Sequence, residues 1–90
     1  MQTTINTIKE IIAKLTHKPE LVQQLGDDAD LINEVGLDSL GLLQFMLEVE
    51  ERLGIQIDFN LLEFSYLESI HTLAEFLEQM PKRAPLASQD

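Results

Sequence analysis

Ser39 lies in the run Asp30-Leu31-Ile32-Asn33-Glu34-Val35-Gly36-Leu37-Asp38-Ser39-Leu40, where residue types and spacing are suited to chemistry. Gly36 permits a sharp turn, Asp38-Ser39 reads as a helix start, and an apolar, acid-rich helix continues to Gly54. The arrangement places a hydroxyl at the mouth of a helix, on the surface and beside negative charge. Such a hydroxyl is an attachment point. Asp and Ser are also ordinary helix caps, and a capping role is compatible with attachment.

Other chemistries fit the same residues less well. Ser39, Asp38, His17 and His71 supply the residue types of a serine hydrolase. However, Leu37-Asp38-Ser39-Leu40-Gly41 is not a Gly-x-Ser-x-Gly elbow, and 90 residues cannot build the sheet that presents one. His71 falls on the solvent side of its helix, and His17 at the end of the first helix suits a charge–dipole contact. No catalytic residue is therefore assigned. Asp27, Asp28 and Asp30 suggest calcium, but Leu31 and Ile32 interrupt the oxygen ligands that such a loop requires. No metal site is assigned either. A third reading is an acidic helical interaction module that is never modified.

The elements that must position Ser39 are helical. Ile5, Ile8, Ile12 and Leu15 share one face of a first helix, with Ile11 at its edge and Thr4 available as a cap. Pro19 bounds that helix. Residues 17–38 form a long connection with room for a helical turn at Glu20–Leu25, fastened to the core by Leu25, Leu31, Val35 and Leu37. The second helix begins at Asp38 or Ser39 and stops at Gly54. Ile55-Gln56-Ile57-Asp58 alternates like a strand but is too short to make a sheet. A brief third helix is expected over Asn60–Tyr66, with Asn60 and Glu63 spaced as a capping box. The fourth begins after Ser69 and buries Ile70, Leu73, Ala74, Leu77 and Met80. The predicted fold is all-α: a small four-helix bundle, three longer helices and one short, with a long loop between helices one and two. Residues 1–80 form the single domain, and residues 81–90 read as a flexible C-terminal tail.

Composition bounds the function. Apolar residues make up 44% of the chain, enough for a folded core. There is no cysteine, hence no disulfide, thiolate metal site or cysteine nucleophile. The first residues lack the pattern of a secretory signal, and no apolar run approaches the roughly 20 residues that cross a bilayer. A soluble, cytoplasmic monomer is expected. Net charge is −10, and it is unevenly spread. Residues 1–18 carry three Lys against one Glu, whereas residues 19–51 carry nine acids and no base. That field repels nucleic acid and anionic membrane and attracts basic protein surfaces.

The second helix has more apolar surface than a core needs. Leu42, Phe45, Met46, Val49 and Leu53 share the core face, which leaves Leu40, Leu43 and Leu47 outside it. Together with Glu48, Glu50 and Glu51 they form a candidate docking surface, with leucines for affinity and carboxylates for orientation.

The run from Asp30 to Leu40, followed by Leu42-Leu43-Gln44-Phe45-Met46-Leu47-Glu48-Val49-Glu50-Glu51-Arg52-Leu53-Gly54, resembles the acyl carrier protein family. The likeness covers residues 4–80. Gly-Leu-Asp-Ser-Leu is similar to the family's attachment motif, and the acidic helix after it to the recognition helix. The resemblance implies that Ser39 carries 4′-phosphopantetheine, installed from coenzyme A by a phosphopantetheinyl transferase. Acyl or aminoacyl cargo would then be held as a thioester on the arm, loaded by ligase or synthase enzymes with basic docking patches. A phosphodiester there would meet unpaired amides and the positive end of the helix dipole. Asp38 resembles the aspartate that helps the transferase hold magnesium. Two positions depart from the housekeeping fatty-acid pattern, Gly41 and Gln44 standing where acids are usual. Phe59, Phe64 and Tyr66 also make the segment after the second helix bulkier, as core aromatics or as the lining of a pocket between helices two and three. These departures point to a stand-alone carrier in a dedicated polyketide, fatty-acid-like or nonribosomal-peptide-type pathway.

Overall fold

The computed structural model describes residues 1–82. Helix α1 spans Gln2–Thr16, the single-turn α2 Leu21–Gln24, α3 Ser39–Leu53 and α4 Ile70–Leu77, with a 3-10 helix at Phe64–Glu68 between the last two. The all-α bundle expected from the periodicities is the fold observed.

Helix α1 buries Ile5, Ile8 and Ile12 as its spacing requires. Ile11, placed at the edge of that face, is also fully buried, while Leu15 is only half-buried. Thr4 does not cap the helix. The helix starts at Gln2 with Met1 in the cap position, and the N-terminal ammonium lies 3.2 Å from the Glu78 carboxylate. That carboxylate compensates a positive charge that the helix dipole would otherwise disfavour. The other end closes at His17, a non-glycine residue in the left-handed region (φ 59°), and the Lys18 N–H returns to the Ala13 carbonyl at 3.0 Å. The helix thus ends three residues ahead of Pro19, in a Schellman-type turn.

Helices α1 and α3 run antiparallel, and two ion pairs fix their register: Arg52 to Glu10 at 2.7 Å and Lys14 to Glu48 at 3.0 Å. Between them Phe45, Met46 and Val49 of α3 pack into the common core with the isoleucines of α1 and with Leu73 and Leu77 of α4. Gly54 ends α3 with φ 65°, a conformation that a side chain would disfavour.

Glu50 belongs to this interior, not to the surface assigned to it from sequence. It is 8% exposed, and its carboxylate accepts the Ile57 N–H at 2.8 Å and the Gln56 side-chain amide at 3.3 Å. The contact turns the chain after α3 so that Ile55 and Ile57 both face the core. The strand-like pattern of that segment gives only an isolated antiparallel bridge, Ile55 to Lys82, with the Gln56 N–H donating to the Pro81 carbonyl. The first two residues of the expected tail are therefore tied to the domain, and residues 83–90 lie outside those described.

The short third helix is displaced from Asn60–Tyr66 to Phe64–Glu68 and is 3-10 rather than α. The cause is Asp58, whose side chain accepts the Asn60 N–H while its carbonyl accepts the Leu61 N–H, both at 3.0 Å. This turn competes with helix at the position where a capping box was expected. Glu63 itself takes the cap position, without a side-chain cap bond. Helix α4 is capped by Ser69, whose hydroxyl accepts the Thr72 N–H at 3.4 Å.

The Glu50 contact gives a direct test. Glu50→Ala leaves the Ile57 N–H without its acceptor and should cost about 1–3 kcal/mol, read from the urea unfolding midpoint at constant m-value. An unchanged midpoint would refute the structural role given to this carboxylate.

Candidate functional site

The long connection reaches Ser39 in three fastened steps. Lys9, buried on α1, reaches Asp27 at 2.7 Å, and a buried ammonium needs such a partner. The Asp27 carbonyl accepts the His71 N–H at 2.7 Å, the Ala29 carbonyl accepts the Ile70 N–H at 3.0 Å, and Leu31 donates to the Leu67 carbonyl at 2.9 Å. Leu25, Ala29 and Leu31 are buried, with Val35 and Leu37 packed against the core beside them. The connection is long, but it is stitched to the start of α4.

Asp30 then organises the final turn. Its carboxylate accepts the N–H groups of Ile32 and Asn33, both at 2.8 Å, and the Asn33 side-chain amide at 2.9 Å. Those bonds, the Asn33 backbone first and its side chain next, hold the Asp30 carboxyl below its ordinary value. Gly36 follows with φ 83°, and the Leu37 N–H closes the turn on the Leu31 carbonyl at 3.1 Å. Asp38 is extended, and one carboxylate oxygen accepts the Gly41 N–H at 2.7 Å. Gly41 has a physical reason to lack a side chain: a Cβ there would lie 3.1 Å from that same oxygen. Sequence reading treated Gly41 only as a missing acid. Its placement three residues after a capping Asp was the available signal.

Ser39 is the first residue of α3 and is exposed. The Gly41 amide is taken by the Asp38 side chain and the Leu42 amide by the Asp38 carbonyl. The N–H groups of Ser39 and Leu40 keep no protein partner among the described residues. The hydroxyl therefore stands beside two free donors at the positive end of a 15-residue helix. No hydrogen bond joins it to His17 or His71, and His71 instead faces Glu75 at 3.8 Å. Among the described residues no group of three or more Asp, Glu or His side chains is arranged to hold a metal ion.

Leu40, Leu43 and Leu47 are exposed at 63%, 52% and 54%, respectively. At 100° per turn-step they form one stripe that starts next to Ser39 and ends on the exposed Glu51. Glu48 is half-buried and held by Lys14. Glu50 leaves the docking set because its carboxylate is buried and occupied. The aromatic segment also divides. Phe59 and Phe64 are exposed rather than core, whereas Tyr66 packs on Phe76 with ring centroids 5.2 Å apart. A groove of about 190 Å³ beside Tyr66 is lined by Thr72, Glu75, Phe76 and Gln79, so Tyr66 borders α4 there rather than α3.

This exposed serine, set by a glycine turn at a helix start, is the constellation of a phosphopantetheine carrier, and comparison with known proteins gives the same class. The family profile described as the phosphopantetheine attachment site matches residues 6–77, and the chain belongs to that family of non-catalytic carrier proteins. It is 38% identical over 69 residues to a protein of Agrobacterium fabrum named aminoacyl carrier protein, covering 77% of this chain and 82% of that one. It is 30% identical over 71 residues to the acyl carrier protein of Saccharopolyspora erythraea, covering 79% and 67%, respectively. No solved structure matches the chain. The residues present fit the family's prosthetic group, since a phosphodiester anion on the Ser39 oxygen would meet the free N–H groups described above.

The lowered Asp30 pKa fixes a pH dependence. The folded chain binds fewer protons at Asp30 than the unfolded chain, so this stabilisation is complete above the ordinary carboxylate range and is lost as pH falls through the lowered value. Unfolding followed from pH 7 down to pH 3 should show stability falling on acidification. Asp30→Ala should be less stable at pH 7 and show a shallower fall; an equal slope would remove Asp30 from the account.

Proposed function

We propose that this chain carries acyl or aminoacyl groups on a 4′-phosphopantetheine arm joined to Ser39. The observation that carries the reading is the exposed Ser39 hydroxyl at the start of α3, beside two unpaired backbone donors and inside the family match. In the loading step the Ser39 oxygen attacks the pyrophosphate of coenzyme A at the phosphorus that bears pantetheine. A P–O bond breaks, adenosine 3′,5′-bisphosphate leaves and the hydroxyl proton is lost. Asp38 has one carboxylate oxygen on the Gly41 amide, and its other oxygen is proposed to help a transferase hold magnesium. Once attached, the arm's terminal thiol holds cargo as a thioester, and the carrier supplies position and recognition.

The higher identity to the aminoacyl carrier protein, and the larger share of that protein's length that is matched, make an amino acid the first cargo to test. The glycine at position 41 and glutamine at position 44 support a dedicated polyketide, fatty-acid-like or nonribosomal-peptide-type pathway over housekeeping fatty-acid synthesis. A ligase or synthase that loads the thiol would approach on the α3 side of Ser39. In this reading residues 1–80 are the carrier domain, acting as a cytoplasmic monomer.

Incubation with coenzyme A and a broad-specificity phosphopantetheinyl transferase should add one arm to the wild-type chain, seen by intact mass. Ser39→Ala should take up none while keeping its helical circular dichroism, because the hydroxyl makes no contact that the core requires. An unlabelled wild-type chain would leave the unmodified interaction module in its place. Labelling that survives the alanine change would move the attachment point elsewhere.

A further inference from the structure

The acidic character of α3 in the sequence does not survive on its outer face. The helix carries three acids, Glu48, Glu50 and Glu51, and one base, Arg52. Glu48 is only 22% exposed at its side chain and is paired with Lys14 of α1 at 3.0 Å. Glu50 is buried against the Ile57 amide. Arg52 is turned to Glu10 of α1 at 2.7 Å. The first turn of α3 has no acid. One charge is left on the exposed stripe, Glu51 at the end away from Ser39, and the rest of the stripe is leucine with Gln44 beside it.

We propose that α1 neutralises the recognition face of α3, and that the partner surface which fits it is apolar and carries few basic residues. The inference rests on the carrier reading, because the stripe is continuous with the attachment residue and an enzyme that handles the arm must approach there. A basic patch would have to displace Lys14 to reach Glu48 and has nothing to pair with along Leu40, Leu43 and Leu47. An apolar patch instead covers three leucines already clear of the core, along about 10 Å of helix. The net charge of −10 still attracts a basic enzyme from a distance. Contact specificity lies in the leucines, with Lys14 as the residue that keeps Glu48 out of the interface.

The phosphopantetheinyl transferase is the probe, with KM for the unmodified carrier as the readout and intact mass as the check on loading. Leu43→Ala and Leu47→Ala should each raise KM about tenfold with unchanged helical content. Glu48→Gln should change KM less than about twofold in the wild-type background, because its charge is already compensated. In a Lys14→Ala background the same Glu48→Gln change should shift KM by about threefold or more, since Glu48 is then free to meet the enzyme. A large Glu48→Gln effect in the wild type, or leucine variants with wild-type KM, would overturn the inference. Each of those results requires a labelled product, whereas failure of the carrier reading gives none at all.

Discussion

A carboxylate oxygen of Asp38 lies 2.7 Å from the Gly41 amide, and that contact sets where α3 begins. Had the helix started one residue earlier, Ser39 would lie within the first turn rather than at its mouth. The cap leaves the Ser39 and Leu40 amides free instead. Three neighbours hold the cap where it is. Gly41 makes room for the carboxylate, Gly36 turns the chain with a positive φ, and Leu37 closes the turn on Leu31. Leu31 is fully buried, so the position of the exposed hydroxyl is referred back to the core.

The connection before α3 shows how a long loop can position chemistry without regular structure. Its own turns supply most of its hydrogen bonds, and three backbone bonds tie it to the 3-10 helix and the start of α4. Lys9 adds a charged tie from α1 through Asp27, while the Ser69 hydroxyl that caps α4 also donates to Asp28 at 3.2 Å. The acids of this loop thus have structural work that composition alone does not reveal. Among the described residues no buried side-chain nitrogen or oxygen lacks a partner. The bonds that hold the segment before α3 do not involve the Ser39 hydroxyl, which stays exposed.

The three long helices and the start of α3 at Ser39 were legible because each rests on a local rule: apolar spacing, a capping side chain, a glycine stop. The third helix was not, because two local rules compete there. Asp58 can form a turn with Asn60 just as Asn60 can cap a helix, and it is the Asp58 turn that forms. Glu50 was misplaced for a different reason. Its position, four residues after Met46 and three before Leu53, lies on the core face by periodicity. A carboxylate there reads as solvent-facing until a buried amide, that of Ile57, is known to need an acceptor. Of the two readings open for Phe59 and Phe64, core or pocket lining, their exposure excludes the core.

Charge shows the same dependence on tertiary structure. Along the chain the basic first helix and the acidic middle look like separate features, one incidental and the other a field for partners. Folding brings them together: Lys9 meets Asp27, Lys14 meets Glu48, and Arg52 crosses back to Glu10. The two surface pairs, Lys14 with Glu48 and Arg52 with Glu10, each contribute only about 0–1 kcal/mol, so their main effect is not on stability. They set the register of two antiparallel helices, and they decide which carboxylates an approaching protein can reach. A count of acids on α3 therefore overstates its electrostatic attraction at contact distance. The segregation of charge along the chain is, in part, complementarity of the chain with itself.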